Sequence, residues 1–418
     1  MKPIINSLLD TDYYKFSMGQ YAWKYYPTVK VKYAFKNRTK GVALGEFIDK
    51  KELLEQLDSV RSLRFSFDEL DYLKSLKIFS RGYLAFLNTV TLPPVYVDIQ
   101  DNKLKIETEG TWSEAILWET FILSIVNELY YKYIGSFRFS KEVLNKDDLN
   151  NYCAKQRAVL VDGKAKLADK IWTINNLPFK FVDFGTRRRF SAKWQDYVVS
   201  VLSKSVAGNS FLGTSNVYLA KKYNVKPIGT LAHELPMVLA GIDDYNLEVL
   251  KGSHDKMLTL WEYMYGKDLS IALTDTFGTD FFFRDFSKEK AKYWKGLRQD
   301  SGDPFEFGKK AIKFYKDKGI DPKKKVIVFS DGLDIDTILK LEKAFKGKFI
   351  TSYGWGTNLT NDVGYAPLSI VVKAIEANGR PLIKLSDNLA KAIGDEKTME
   401  KYKEVFVYDN TYTEPTLY

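Results

Sequence analysis

The stretch KVIVFSDGLD, from Lys325 to Asp334, indicates how this chain folds. Its apolar run, Val326 to Phe329, has the length of a buried β-strand. Ser330, Asp331 and Gly332 follow directly, and the residues after them resemble the start of a helix. A strand, a small polar turn and a helix in this order are typical of a parallel sheet with helical crossovers.

The same order of an apolar run, a small polar cluster and a helical stretch recurs in six other places beyond about residue 140. The stretches are FKFVDFGTRRR (Phe179 to Arg189), SFLGTSN (Ser210 to Asn216), KPIGTLAHE (Lys226 to Glu234), SIALTDTFGTD (Ser270 to Asp280), KGLRQDSGDP (Lys295 to Pro304) and KFITSYGWGTN (Lys348 to Asn358). Polar residues follow the end of each apolar run. In parallel sheets and barrels, active-site residues lie at these carboxyl ends of the strands. The pattern predicts an α/β fold, and its irregular spacing argues against a regular eight-fold barrel while allowing a distorted one.

The first 135 or so residues mix short strands and helices instead. Thr28 to Arg38 alternates like a strand, and Ser66 to Leu76 has the pattern of a helix capped by Ser66 with Glu69 three residues later. We therefore expect an N-terminal α/β domain over residues 1–138, joined by 375–418, and a catalytic domain over 139–374.

Composition indicates which class of protein this chain belongs to. The longest apolar stretch, Ala115 to Val126, is interrupted by Glu119 and is shorter than a membrane span. It predicts a buried helix whose inward-facing residues are Trp118, Phe121, Ile122 and Ile125. With a single cysteine and no signal peptide, the sequence favours a cytosolic protein.

The net charge is +10, which suits nucleic-acid binding, a pocket for polyanionic small molecules, or simply solvated lysine-rich faces. The basic residues are scattered rather than arranged in blocks, which disfavours the nucleic-acid reading.

Several polar residues at the strand ends are candidates for chemistry. Arg298 offers a planar fork for a carboxylate or phosphate, and Asp300 can bind sugar hydroxyls or a divalent ion. Asp275 stands at the end of another run, and Arg187 is the member of its arginine triplet that we expect to point inward, with the other two solvated or paired.

Two consecutive strand ends predict a shared phosphate site. A strand, a glycine-containing turn and a helix start present free backbone N–H groups to an anion. The residues in question are Ser330, Asp331, Gly332, Gly354, Gly356 and Thr357. Neither stretch has P-loop spacing, and no metal motif such as HExxH or CxxC is present, although a hard cation such as Mg²⁺ could be held by carboxylates and ligand phosphates.

His233, in GTLAHELP, is one of only two histidines, and its position leaves a chemical role and a structural role equally open. His254, in KGSHDK, is expected at an ordinary surface position.

These segments together resemble the nicotinate phosphoribosyltransferase family in its bacterial form. The resemblance covers nearly the whole chain. It rests on SLLDTDYYKFSM, FGTRRRFS, GTSN, AHE, LTDTF, GLRQDSGDP, VFSDGLD, GWGTNLT and KLSDN. It implies a type II phosphoribosyltransferase, an irregular α/β barrel beside a domain built from both chain ends. Such enzymes make nicotinate mononucleotide and pyrophosphate from nicotinate and phosphoribosyl pyrophosphate, coupled to ATP hydrolysis with Mg²⁺.

The resemblance also implies residue roles. Asp300 would bind the ribose hydroxyls, Arg298 the nicotinate or ribose side, and Asp275 would lie near the reacting centre. The two strand ends would cradle the 5′-phosphate. Arg38, Lys373 and Lys384 would bind pyrophosphate or the ATP phosphates.

Nicotinate would stack between Phe184 and Tyr14, the latter from the partner subunit of a homodimer with shared active sites. Ser215 and Asn216 would act as neutral donors to an acid substrate, where the related nicotinamide enzyme has an aspartate. These residues favour nicotinate over nicotinamide, which is the closest alternative. A nucleic-acid-binding protein and a non-catalytic binding protein on the same barrel are the others.

The resemblance further makes His233 the residue phosphorylated from ATP. Glu234 would either orient its imidazole or point to solvent.

Overall fold

The computed structural model describes residues 2–137 and 146–414, with side chains described outside 135–158. The domain boundary expected between residues 138 and 139 lies outside the described residues, so the division into domains stays a prediction. The strands are β1 (Lys30–Asn37), β2 (Val95–Gln100), β3 (Lys103–Thr111), β4 (Phe181–Asp183), β5 (Phe211–Thr214), β6 (Ile271–Leu273), β7 (Gly296–Gln299), β8 (Val326–Phe329), β9 (Ile350–Trp355), β10 (Ile370–Ala377) and β11 (Arg380–Pro381).

Helices connect most of these strands. They are α1 (Tyr13–Tyr25), α2 (Lys50–Ser62), α3 (Phe67–Ser75), α4 (Arg81–Thr89), α5 (Trp112–Ala115), α6 (Trp118–Phe137), α7 (Lys146–Asn176), α8 (Ala192–Ser205), α9 (Val217–Tyr223), α10 (Glu234–Asp243), α11 (Leu247–Tyr265), α12 (Thr279–Asp285), α13 (Lys288–Tyr293), α14 (Pro304–Asp317), α15 (Ile335–Phe345), α16 (Thr357–Thr360) and α17 (Glu396–Phe406). Short 3₁₀ turns occupy Leu44–Glu46, Thr186–Arg188, Pro322–Lys324 and Leu389–Lys391.

One sheet is antiparallel and draws on both ends of the chain. Its order is β11-β10-β1-β3-β2, so the C-terminal strand β10 pairs directly with the N-terminal strand β1. Along β1, Val31, Tyr33 and Phe35 are buried while the residues between them are more exposed, which is the predicted alternation. A sheet formed from both chain ends is thus confirmed.

The other sheet is parallel, in the order β5-β4-β9-β8-β7-β6. Six of the seven predicted strand runs form it, which confirms the α/β class. Among the described residues β5 and β6 do not pair with each other, so the barrel is irregular. The chain forms this sheet because each run is short, apolar and followed by a helix, and helices cover its outer face.

The seventh run, Lys226 to Glu234, was wrongly predicted as a strand. It makes only an isolated bridge between Thr214 and Pro227. The bridge consists of two bonds, from the Thr214 N–H to the Lys226 carbonyl and from the Ile228 N–H to the Thr214 carbonyl, and Pro227 has no N–H to offer a further strand on its other side.

The helix predictions are confirmed in detail. Ser66 accepts from the N–H of Glu69, and the Glu69 carboxylate accepts from the N–H of Ser66, which is a complete capping box. In α6, Trp118, Phe121 and Ile125 are buried, as is Ile122. No helix in the described ranges is long and apolar enough to cross a membrane.

Candidate active site

The carboxyl ends of the parallel strands open into a cleft. Residues that the sequence nominated as site residues line it together: Arg38, Phe184, Arg187, His233, Arg298, Asp300, Ser330, Asp331, Gly332, Gly354, Gly356, Thr357, Lys373 and Lys384. Parallel strands carry their C-terminal residues to a common edge, and this places such distant parts of the sequence side by side.

His233 lies buried immediately before α10, at the floor of the cleft. Its Nε2 is 3.0 Å from Lys384 Nζ and 3.0 Å from Asp300 Oδ2, and its Nδ1 is 2.9 Å from Thr276 Oγ1. The Lys384 ammonium only donates and the Asp300 carboxylate only accepts, so a neutral Nε2 bonds Lys384 through its lone pair in one tautomer and Asp300 through its proton in the other. Burial and then Lys384 lower the pKa of His233 to about 4, against the opposing carboxylates. The imidazole is therefore neutral at pH 7, and in the tautomer that bonds Lys384 its Nε2 carries the lone pair of a nucleophile.

Asp300 is the carboxylate that stands at the centre of the cleft. One oxygen accepts from Arg298 Nη2 at 3.0 Å and from Ser330 Oγ at 2.9 Å, and the other faces His233. Burial opposes ionisation, but Arg298 and Lys391 hold the pKa of Asp300 well below its usual range. Asp300 is thus a fixed negative charge with its oxygens aimed into the site.

Asp275 lies beneath this layer and is fully buried. Its Oδ2 is 3.8 Å from His233 Nε2 and 3.6 Å from Lys384 Nζ, and it accepts a hydrogen bond from Ser301. Burial opposes its ionisation, whereas Lys384 and the hydrogen bond from Ser301 favour it. Asp275 therefore stabilises the positive charge of Lys384 from beneath the cleft.

The end of the cleft that the sequence predicts to bind a phosphate follows β8 and β9. Gly332 has a φ of 57°, which few other residues adopt, and the turn leads into α15. At Gly354 a Cβ would lie 2.4 Å from the Phe184 ring, so glycine is required for the ring to pack there. Lys391 completes this end, because its ammonium bonds the Asp300 carbonyl at 3.0 Å and pairs with Asp331.

An adjoining pocket shares Arg187, His233, Arg298, Asp300 and Lys373 with the cleft and is also lined by Tyr14 and Glu119. The Arg187 guanidinium lies 5.9 Å from the centre of the Tyr14 ring, and that of Arg298 lies 5.7 Å from the Phe184 ring. This is the Tyr14 of the same chain, and the expected contribution of a Tyr14 from a partner subunit stays a prediction. The pocket has the aromatic and cationic walls that a flat, anionic ring would require.

Ser215 and Asn216 are not placed as expected. Both are buried and neither lines the cleft or the adjoining pocket. Ser215 Oγ donates to Asp12 Oδ1 at 2.6 Å, and Asn216 Nδ2 donates to Asp10 Oδ1 at 2.7 Å while its oxygen caps α9. Each side chain is thus bonded to a buried carboxylate. Ser215 acts on the site through Asp12, whose Oδ2 is 3.6 Å from Arg187 Nε.

The arginine triplet divides into three environments. Arg187 points into the site as predicted, and Arg189 pairs through both terminal nitrogens with Asp10 at 2.6 and 2.8 Å. Arg188 also lines the cleft and donates to the carbonyl of Ile370. The 3₁₀ turn over Thr186–Arg188 points successive side chains in different directions, and two of them reach the cleft.

Two further expectations need correction. Glu234 neither contacts the imidazole nor points to solvent, because it accepts from Lys15, Tyr33 and Trp112 in the interior. His254 is buried rather than on the surface, with Nδ1 3.0 Å from Asp285 and its ring against Phe281.

Sequence reasoning also missed Lys15, Glu119 as a site residue, and Lys391, because single charged residues within helices and turns carry no spacing signal.

Comparisons with known proteins agree with this geometry. The model of the nicotinate phosphoribosyltransferase (NAPRTase) family matches residues 179–410, and the model of that family's N-terminal domain matches residues 9–127. A curated nicotinate phosphoribosyltransferase of Burkholderia mallei is 38% identical over 413 residues, which cover 96% of this chain and 97% of that protein.

Comparison with solved structures indicates the same family. A nicotinate phosphoribosyltransferase from Porphyromonas gingivalis is 33% identical with a TM-score of 0.83, covering 97% of this chain and 100% of its own. One from Vibrio cholerae is 34% identical with a TM-score of 0.83, covering 97% of this chain and 94% of its own. The chain belongs to the nicotinate phosphoribosyltransferase family.

Proposed function

We propose that this protein transfers a phosphoribosyl group from phosphoribosyl pyrophosphate to the ring nitrogen of nicotinate. The C1–O bond to pyrophosphate breaks, the C1–N bond forms, and nicotinate mononucleotide and pyrophosphate leave. The observation that supports this most is the single cleft in which an anion-binding turn, the carboxylate Asp300 and a cationic wall meet. A very anionic donor and a developing cation at C1 need these three elements.

The donor would lie with its 5′-phosphate on the turns after β8 and β9. Its pyrophosphate would face Arg38, Lys373 and Lys384, which line the same cleft. Among the described residues no group of three or more His, Cys, Asp or Glu side chains could hold a metal ion. Mg²⁺ would therefore enter bound to the donor's phosphate oxygens, as it commonly does, and would neutralise part of their charge.

Asp300 would bind the ribose hydroxyls and stabilise the oxocarbenium-like state electrostatically. It is suited to this role because its pKa is held well below the usual range, so it stays ionised. Arg298 would keep it oriented through the 3.0 Å bond between them.

The acceptor would lie in the adjoining pocket, with its carboxylate near Arg187 and its ring beside Tyr14 or Phe184. Paired assays with nicotinate and nicotinamide test this choice. We expect turnover of the acid to exceed that of the amide, and equal or better use of the amide would identify a nicotinamide enzyme instead.

We also propose that ATP hydrolysis is coupled to transfer through His233. Its Nε2 would attack the γ-phosphorus, so that an N–P bond forms as the P–O bond to ADP breaks, and water would later release phosphate. The neutral imidazole at pH 7 and the neighbouring Lys384 ammonium support this role, because the first supplies a lone pair and the second offsets the phosphoryl charge.

The affinity for the donor is expected to fall as the pH rises through 7. Burial, Lys384, Arg187 and Arg38 lower the pKa of Lys373 to about 7, against the attraction of Glu119. Lys373 is charged below that pKa and neutral above it, so the cleft loses a cation on the alkaline side. We expect the KM for phosphoribosyl pyrophosphate to rise several-fold between pH 6.5 and 8.5.

The variants Lys373→Arg and Lys373→Met provide the controls for this dependence. Arginine keeps its charge throughout the range and should flatten the profile at a low KM, whereas methionine should flatten it at a high KM. A wild-type KM that stays level over this range would contradict the role of Lys373.

In the cell, we propose a cytosolic role in pyridine-nucleotide salvage for NAD biosynthesis, with the protein acting as a homodimer. Light scattering on the purified protein would test the dimer, and a monomeric mass at enzyme-assay concentrations would remove it.

A further inference from the structure

Lys15, in α1, is a fully buried lysine that no part of the proposed chemistry uses. Its ammonium lies 2.6 Å from Glu119 Oε2 and 2.7 Å from Glu234 Oε2, and its side chain has no exposed surface. Removing a lysine from water is costly unless its charge is matched and its donors are bonded. Here two carboxylates meet both needs, and they raise the pKa of Lys15 despite the opposing effect of burial.

Each of the two carboxylates leads on to the site. Glu119 uses its other oxygen to accept from Arg187 Nη1 at 3.3 Å, and it lines the adjoining pocket. Glu234 begins α10 directly after His233, and its second oxygen is held by Tyr33 at 2.6 Å and Trp112 at 2.7 Å. Lys15 thus links Glu119, which bonds Arg187, to Glu234, which follows His233 in the chain.

The charge of Lys15 also bears on the pocket itself. Its ammonium lies 5.3 Å from the Tyr14 ring centre, on the ring that Arg187 also approaches. Asp12 and Glu119 are buried carboxylates beside Arg187, and Glu234 and Asp300 also line the pocket. Together they would repel an anionic acceptor through a medium of low dielectric constant. Lys15 offsets this repulsion without touching the acceptor.

We propose that Lys15 is a positioning and charge-balancing residue that lets the adjoining pocket accept a carboxylate-bearing ring. This inference rests on the proposed function, because it assigns nicotinate to that pocket. Lys15 holds Glu119 so that Arg187 faces the acceptor carboxylate, and it cancels the negative charge that would otherwise dominate there. The donor depends on Lys15 less, because its 5′-phosphate would lie on the turns after β8 and β9 and only its pyrophosphate would approach Lys373, which lines both the cleft and the adjoining pocket.

The test compares KM values for nicotinate and for phosphoribosyl pyrophosphate in Lys15→Met, Glu234→Gln and the double variant. Lys15→Met should raise the KM for nicotinate about tenfold, the size expected for one charge at this range, and change the donor's KM less than twofold. Glu234→Gln removes a negative charge and should lower the KM for nicotinate about threefold. The double variant restores the balance and should return that KM to within about threefold of wild type.

A merely structural role for Lys15 would lower kcat or raise both KM values together, and that result would overturn the inference. So would an unchanged KM for nicotinate in Glu234→Gln, which decides the matter even if Lys15→Met fails to fold. Lys325→Met is the matched control, because this buried lysine bonds the carbonyls of Lys292 and Trp294 outside the site and should leave the ratio of the two KM values unchanged.

The wild-type assay separates this inference from the proposed function. If the wild-type protein does not turn nicotinate over, the proposed function fails. If it does and the variants do not separate the two KM values, only the role of Lys15 fails.

Discussion

Asp300→Asn is expected to lower kcat/KM for phosphoribosyl transfer by about 100- to 1000-fold, the usual cost of removing one preorganised electrostatic group. The asparagine has the same shape, so it can keep a bond to Arg298 or Ser330, which lie 3.0 and 2.9 Å from the carboxylate. The negative charge that would stabilise the developing cation at C1 is lost. Steady-state kinetics with nicotinate as the acceptor would measure the effect.

Asp303→Asn is the matched control for this variant. Asp303 is three residues away in the same loop, is exposed, and caps α14, a role that asparagine fills equally well. We expect its kcat/KM to stay within twofold of wild type. An Asp300→Asn enzyme with wild-type kinetics would refute the role of Asp300 at the ribose.

His233→Ala is expected to abolish ATP hydrolysis and all stimulation of transfer by ATP, while slow transfer persists at high donor concentration. The alanine removes the only nucleophilic nitrogen proposed to take the γ-phosphoryl group, so the ratio of rates with and without ATP should fall to about one. The donor-binding turns after β8 and β9 remain, which is why transfer itself should survive.

Labelling with γ-³²P-ATP supplies the second readout for this variant. Since the chain has only two histidines, acid-labile label should appear on the wild-type protein and on His254→Asn, and be absent from His233→Ala. Asparagine at position 254 can keep the bond to Asp285 now made by Nδ1. Retention of full ATP stimulation in His233→Ala would show that the phosphohistidine proposal is wrong.

Much of the fold could be predicted because local patterns carry it. The strand runs that end in small polar clusters form β4 to β9, and the Ser66 capping box forms as its residues dictate. The exception is Lys226 to Glu234, where Pro227 already argues in the sequence against a central strand. The pairing of β1 with β10 joins residues more than 300 positions apart, and the expected return of residues 375–418 to the N-terminal domain anticipated it only in outline, because β10 begins at Ile370.

The positions of the candidate site residues could be predicted where the backbone alone determines them. Residues at strand ends reach the cleft because parallel strands bring them there, whatever their side chains do. The directions of individual side chains were not predictable. Ser215 turns to Asp12 and Asn216 to Asp10, since buried carboxylates compete for their hydrogen bonds. Lys15 gave no signal, because its two partners lie 104 and 219 positions further along the chain.

The central claim is tested most directly by incubating the purified wild-type protein with nicotinate, phosphoribosyl pyrophosphate and ATP·Mg²⁺ and following nicotinate mononucleotide by chromatography. The mononucleotide and pyrophosphate should appear in equal amounts, at a rate proportional to protein concentration, and should require nicotinate and the donor. Failure to form the mononucleotide from nicotinate, with intact folded protein and fresh donor, would contradict the account.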